Sequence, residues 1–468
     1  MSPELLKLFY LGQPFAIAIA LAVGVAAFGG AVISRPVVPL VLYLSVYFVF
    51  AQSNYGSLDV FRSNPVYARG SGQLFYPALC WTLLVMVFWA WLGRRFMRLP
   101  APSPSPLRHV LWAWAALLVL HLAVGLALGE PAARILEANG FSMIVWLLPL
   151  LYLMHAAGRD DEQLDLLGRL LVLAALAKSL FGLGRLLAMG GDPSNVYQNL
   201  DRIDIRLTYF DICDSLVCLL GAAAAAAMLL VAPSPRHGRA WRLLCAVTLV
   251  LALVCIVLSY RRTAWGGLVL AALWLLWRAP ARWRWPLLLG VLPLGVAAVG
   301  MVAAQRLSQP GMVGGWSALF YDLQGRGFGP ESTRLLELKL AWAAFVQSPL
   351  LGIGAWGRYT SAHLIPWQLL DGGAFLHSGA LHVAMKAGLL GVALLLALVA
   401  AFLAELRRAL DGASPAATVL AVVAGCGLLF LLPDWLLGTP VPQLRTMQLT
   451  GLCLGLPGLV LAARRARP

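Results

Sequence analysis

The side chains best suited to chemistry in this sequence are arginines and one histidine set at the edges of apolar runs. Arg206 closes the string Arg202-Ile203-Asp204-Ile205-Arg206, shortly before an apolar stretch. Arg261 and Arg262 sit in a tight turn, Ser259-Tyr260-Arg261-Arg262-Thr263-Ala264-Trp265, between two more. Arg334 begins a segment that passes through Ser348-Pro349-Leu350-Leu351-Gly352-Ile353-Gly354 to His377-Ser378, with Gly388-Leu389-Leu390-Gly391 beyond. Guanidinium groups that converge bind an anion through paired hydrogen bonds, and phosphate or diphosphate oxygens match their fork. A histidine at the start of a helix is placed to accept a proton. Arginines for a diphosphate leaving group and an imidazole for an attacking hydroxyl make a glycosyl-transfer site. Guanidinium can stabilise the developing negative charge. No H-E-x-x-H string or cysteine–histidine cluster asks for a metal, so neither metal nor cofactor is expected.

Each of these residues has a plainer reading. Arg206 can pair with Asp204 or Asp211 at a helix start. Arg261 and Arg262 can anchor at an interface, their stems in lipid and their heads among headgroups. A lone histidine is more often a hydrogen-bonded structural residue. Position favours function for Arg262 and His377. Ser378 and Lys386 are expected to line the same cavity as His377, Lys386 deeper and on nearly the same helix face. His382, about 140° around that helix, is a packing or lining residue. Lys178 and Lys386 lie inside apolar runs and must find partners or water. His363 competes as the base, whereas His121 and His155 read as structural.

These residues need a frame, and composition supplies it. Apolar residues make up 61% of 468 residues and charged ones only 12%. Apolar runs near 13–33, 37–51, 74–93, 109–128, 141–157, 169–189, 211–232, 243–259, 264–278, 285–304, 378–404, 415–433 and 447–463 are long enough to span a bilayer as helices. The expected fold is an all-α membrane bundle of about 12–13 helices, with membrane lipids as its surroundings. The net charge of +15 falls mostly in alternate loops: Arg94, Arg95, Arg98 and Arg108; Arg159 and Arg169; Arg236, Arg239 and Arg242; Arg278, Arg282 and Arg284; Arg407 and Arg408; Arg464, Arg465 and Arg467. The positive-inside rule places these in the cytoplasm and accounts for the charge without nucleic acid. Arg206, Arg261, Arg262, Arg334 and His377 then face the other side.

That outer side carries one long segment, 305–376, between helices in 1–304 and C-terminal helices in 377–468. A segment of about 70 residues should have elements of its own. Pro330-Glu331-Ser332-Thr333 reads as a helix start and Ser348-Pro349 as its end. Leu335, Leu338, Trp342, Phe345 and Val346 recur at helical spacing, with Arg334 and Glu337 on the other side. The expectation is an amphipathic helix at the membrane surface, part of a helical cap over a cavity open to lipid and to an acceptor.

The order of these motifs resembles the bacterial O-antigen ligase and polymerase family. Ser-Tyr-Arg-Arg-Thr-Ala-Trp is similar to that family's Ser-Arg-Gly-Ala-Trp turn, with Arg262 at the motif arginine and Arg261 extra. Pro349-Leu350-Leu351-Gly352-Ile353-Gly354 is similar to its Pro-Leu-x-Gly-x-Gly segment. His377-Ser378 with Gly388-Leu389-Leu390-Gly391 resembles its His-Asn…Gly-Leu-x-Gly segment, serine standing where asparagine is usual. Arg206 resembles its earlier periplasmic arginine. The resemblance covers about residues 200–404. It implies a glycosyltransferase of the bacterial inner membrane whose active site faces the periplasm. The donor would be a glycan on undecaprenyl diphosphate. The acceptor would be a sugar hydroxyl of lipid A–core or of a second lipid-linked repeat unit. The reaction would be inverting and metal-independent, with His377 as base and Arg206, Arg262, Arg261 and Arg334 around the diphosphate. Two rivals remain at this point. One is a transporter or flippase for an anionic lipid-linked sugar, the other a scaffold of an export machine.

Overall fold

A computed structural model describes residues 37–45, 77–96, 105–192, 205–291, 332–360 and 376–465, with a few isolated positions besides. Within them the chain is helical: α1 Val37–Ser45, α2 Pro77–Phe96, α3 Pro106–Ala127, α4 Leu147–Ala157, α5 Asp161–Ala188, α6 Ile212–Ala226, α7 Arg239–Val257, α8 Arg262–Arg278, α9 Ser332–Gln347, α10 Gly379–Leu410, α11 Pro415–Leu437 and α12 Leu444–Arg465. Among the described residues, seven helices are long and apolar enough to cross a membrane. The all-α, multi-pass architecture read from hydropathy is the one observed. The apolar run at 13–33 lies outside the described residues, as do 305–331 and 361–375 of the cap segment.

Helix ends follow local chemistry. α5 starts well before its apolar run, because Asp160 accepts from Gln163 N at 2.9 Å and Asp161 and Glu162 occupy the first turn. Carboxylates there complement the positive end of the helix dipole. Ser105, Asp211, Ser378 and Ser414 cap α3, α6, α10 and α11 in the same way. α6 and the N-terminal half of α12 are almost wholly enclosed and form the centre of the bundle. α6 runs on into a π-helical turn at Ala227–Val231.

The two ends of the bundle differ. At one end His237 meets Asp165 at 3.0 Å, Ser414 donates to Asp161 at 2.8 Å, and Ser105 bonds to Glu405. The arginine clusters of the alternate loops lie here, at the C-termini of α2, α8, α10 and α12. The opposite end carries the N-termini of α6, α8, α10 and α12 and the C-termini of α5, α7 and α11.

Candidate active site

Residues 205–210 lie across the C-terminus of α7 at this opposite end. Thr208 N donates to Leu258 O at 3.1 Å, and Thr208 Oγ1 to Cys255 O at 2.7 Å. Ile205 and Leu207 are buried with Tyr260 and Trp265, which leaves Arg206 between them exposed. Asp211 accepts from Cys213 N at 3.1 Å as the cap of α6. Among the described residues, Arg206 makes no ion pair with it. The turn that follows α7 is wound tightly. Ser259 Oγ donates to Ile256 O at 2.7 Å, and Tyr260 takes φ 54°, a left-handed value for a non-glycine residue. Such backbone strain costs about 1–3 kcal/mol and persists only where neighbours hold it. Trp265 does so by donating from Nε1 to Val257 O at 3.1 Å.

The double arginine divides its work. Arg261 donates through Nη1 to Phe210 O, stacks 5.5 Å above the Phe210 ring, and pairs through Nη2 with Asp434 of α11 at 3.5 Å. It therefore ties 205–210 to the end of α11. Arg262 is the first residue of α8 and half-buried. The segment of Arg206 and the turn of Arg262 are thus assembled into one structure.

Beneath them lies a set of buried charges. Arg185 pairs with Asp192 at 2.8 Å and also donates to Thr208 O. Asp192 accepts in turn from Phe210 N at 2.9 Å. Tyr209 donates to Lys178 O at 2.6 Å, with its ring 5.0 Å from the Arg185 guanidinium. Burial pushes the Tyr209 phenol well above its ordinary pKa, so it stays a donor. Lys178 finds its partner in Asp214 at 2.7 Å, and Arg445 of α12 binds the same carboxylate.

α9 spans the helix expected between Ser332 and Ser348, yet it packs on α10 through a different face. Glu337 is 2% exposed, with Ala341 and Ala344 buried beside it, whereas Leu336, Trp342 and Val346 are open. The sequence places Glu337 on a polar, outward side. Small alanines instead let α9 approach α10 closely, and Glu337 turns inward onto His377. His377 Nδ1 lies 2.8 Å from Glu337 Oε2, and His377 N donates to the same oxygen at 3.4 Å. With the Nδ1 proton directed at the carboxylate, Nε2 presents its lone pair. The His377 side chain keeps 21% of its surface open. Ser378 Oγ accepts from Leu381 N at 3.3 Å and caps α10. Serine and asparagine are both good caps, which accounts for serine at this place. Gly379 packs against Trp435 and Pro440, next to Asp434, so the start of α10 adjoins the end of α11 that Arg261 holds.

The two glycine motifs face each other. Ile353 N donates to Met385 O at 2.9 Å and Leu389 N to Pro349 O at 2.7 Å, so residues 349–353 dock on a kink in α10. Gly352 (φ 71°) and Gly388 (φ 63°) meet there, and a Cβ on Gly352 would stand 2.5 Å from Met385 O. Only glycine permits this approach. Lys386 is fully buried; its Nζ donates to Ala355 O at 3.2 Å and also to Gly357 O. His382, fully buried too, bonds through Nε2 to Gly140 O at 2.9 Å. Both join α10 to neighbouring backbone: His382 takes the packing role, one of its two readings from sequence, and Lys386 is enclosed by backbone where a cavity lining is expected. Arg334 lies in the first turn of α9, but its side chain is outside the described residues, as is His363.

Residues 247–396 match the family model described as O-antigen ligase. This stretch, about a third of the chain, is similar to the O-antigen ligase family. A search of curated proteins returns no relative. The matched O-antigen ligase segment holds Arg262, Glu337, His377 and the paired glycine motifs, and leaves Arg206, Lys178, Asp214 and Arg445 outside. Sequence reasoning missed Glu337, Arg185, Asp192, Asp214, Asp434 and Arg445. The available signal is an ionisable residue within or beside an apolar run, the same one that singles out Arg206, Arg261, Arg262, Lys178 and Lys386.

Proposed function

We propose that the protein is an inverting, metal-independent glycosyltransferase of the bacterial inner membrane. It moves a glycan from undecaprenyl diphosphate to an acceptor sugar hydroxyl at the periplasmic face. The observation that carries this reading is the Glu337–His377 pair, Nδ1 to Oε2 at 2.8 Å, inside the segment that matches the ligase family. Glu337 orients the imidazole, and Nε2 takes the proton of the acceptor hydroxyl as its oxygen attacks the anomeric carbon. The bond from that carbon to the diphosphate oxygen breaks, and the configuration inverts. The leaving diphosphate keeps the electron pair and rests against Arg206 and Arg262, with Arg334 as a further ligand. Arg261 braces the site between Phe210 and Asp434. The acceptor is lipid A–core for a ligase and a second lipid-linked repeat unit for a polymerase.

The test is transfer in vitro by purified protein with a lipid-linked glycan donor. His377→Ala should abolish transfer while the protein stays folded. Wild-type activity should persist in EDTA. Normal transfer by His377→Ala would remove the base, and loss in EDTA restored by a divalent cation would contradict the metal-independent step.

A further inference from the structure

The mechanism makes no use of Arg445. This residue lies in the first turn of α12 and is 8% exposed. One terminal nitrogen, Nη2, binds Asp214, while Nε and Nη1 are buried with no hydrogen-bond partner. Asp214 is shared with Lys178, so one carboxylate serves two buried cations. Asp211, one turn before Asp214, accepts from Cys213 N and is a second negative charge near Arg445. Asp214 and Arg445 both sit in the first turns of their helices, so the amino ends of α6 and α12 add positive potential at the same place. α5 supplies Lys178 and runs on for almost three turns past it, to Ala188. The cluster is therefore at the level where these helices begin, below the structure that carries Arg206 and Arg262. Buried, partnerless N–H groups on a cation are costly and call for an anion.

We infer that Arg445, braced by Asp214 and Lys178, is a further anion-holding residue that takes a phosphate oxygen of the lipid-linked substrate. This rests on the donor proposed above. The chemistry is that of a lipid phosphate, and an anionic headgroup shares it. Asp214 fixes one edge of the guanidinium, which leaves Nε and Nη1 for the incoming oxygen.

The experiment uses the full chain in nanodiscs of phosphatidylcholine. Binding of undecaprenyl diphosphate, and of added phosphatidylglycerol, is measured for the wild type, Arg445→Gln, Arg445→Lys and His377→Ala, with thermal unfolding in parallel. Arg445→Gln should bind undecaprenyl diphosphate at least tenfold more weakly, and its unliganded unfolding midpoint should be unchanged or higher. His377→Ala should bind like the wild type. If Arg445→Gln does not fold, Arg445→Lys keeps a charge for Asp214 and should show the same weakening, since a point charge lacks the fork. Wild-type affinity in a folded Arg445 variant overturns the inference and leaves the proposed function standing. If the wild type ignores undecaprenyl diphosphate but binds phosphatidylglycerol through Arg445, the donor reading fails and the anion site stands with a headgroup as its ligand. Binding of neither lipid overturns both.

Discussion

At the arginine-rich end, Arg464 donates to Arg408 O at 3.0 Å and to Asp411 O at 2.6 Å, and Arg284 donates to Ala279 O and Trp277 O. At the opposite end, Arg185, Arg261 and Arg445 meet Asp192, Asp434 and Asp214. The first group caps helix C-termini, where carbonyls lack partners and the dipole welcomes a cation. The second is built into the protein and held by carboxylates drawn from other segments. One residue type thus closes helix ends at one end and builds a buried, oriented frame of charge at the other. The count of arginines does not separate the two uses; their partners do.

That contrast can be broken by substitution, and the effects should fall in a definite order. His377→Ala should lower transfer by about two to four orders of magnitude, the usual contribution of a positioned base. Asp214→Asn should lower stability by about 3–5 kcal/mol, because it removes the carboxylate that buried Lys178 and Arg445 both bind; thermal unfolding in detergent measures this, and adding Lys178→Met should restore part of it. Arg206→Lys and Arg262→Lys should reduce donor use by about tenfold, or about 1.4 kcal/mol, with a raised KM for the donor. Glu337→Gln should retain more activity than His377→Ala and shift the pH dependence of transfer, since the carboxylate no longer steadies the imidazolium. Arg464→Gln should change stability by no more than about 0.5 kcal/mol and leave transfer intact. A large effect of Arg464→Gln beside a small one of Arg206→Lys would erase the distinction between the ends.

Much of the frame was legible in the sequence, because lipid imposes one rule on the backbone and long apolar runs obey it. The starts and stops of α6, α8 and α11 fall close to the hydropathy boundaries. α5 departs from its boundary because its first turns are polar and capped by Asp160. The motif glycines were legible as a pattern, but their reason was not. Gly352 and Gly388 matter as a pair, and pairing is a property of the folded chain. Glu337 was assigned to an outward face because periodicity tells which residues share a side and not which side is packed. Arg445 and Asp214 are separated by 231 positions, and no local signal joins them.

The central claim is that the end of the bundle holding His377, Arg206 and Arg262 cleaves a glycan from a lipid diphosphate. Proteoliposomes containing the purified protein, a lipid-linked glycan and an acceptor sugar lipid test it most directly, with released undecaprenyl diphosphate counted against glycan joined. The account predicts one equivalent released for each glycan transferred, and none with His377→Ala. Movement of intact lipid-linked glycan across the bilayer with no diphosphate released would contradict it.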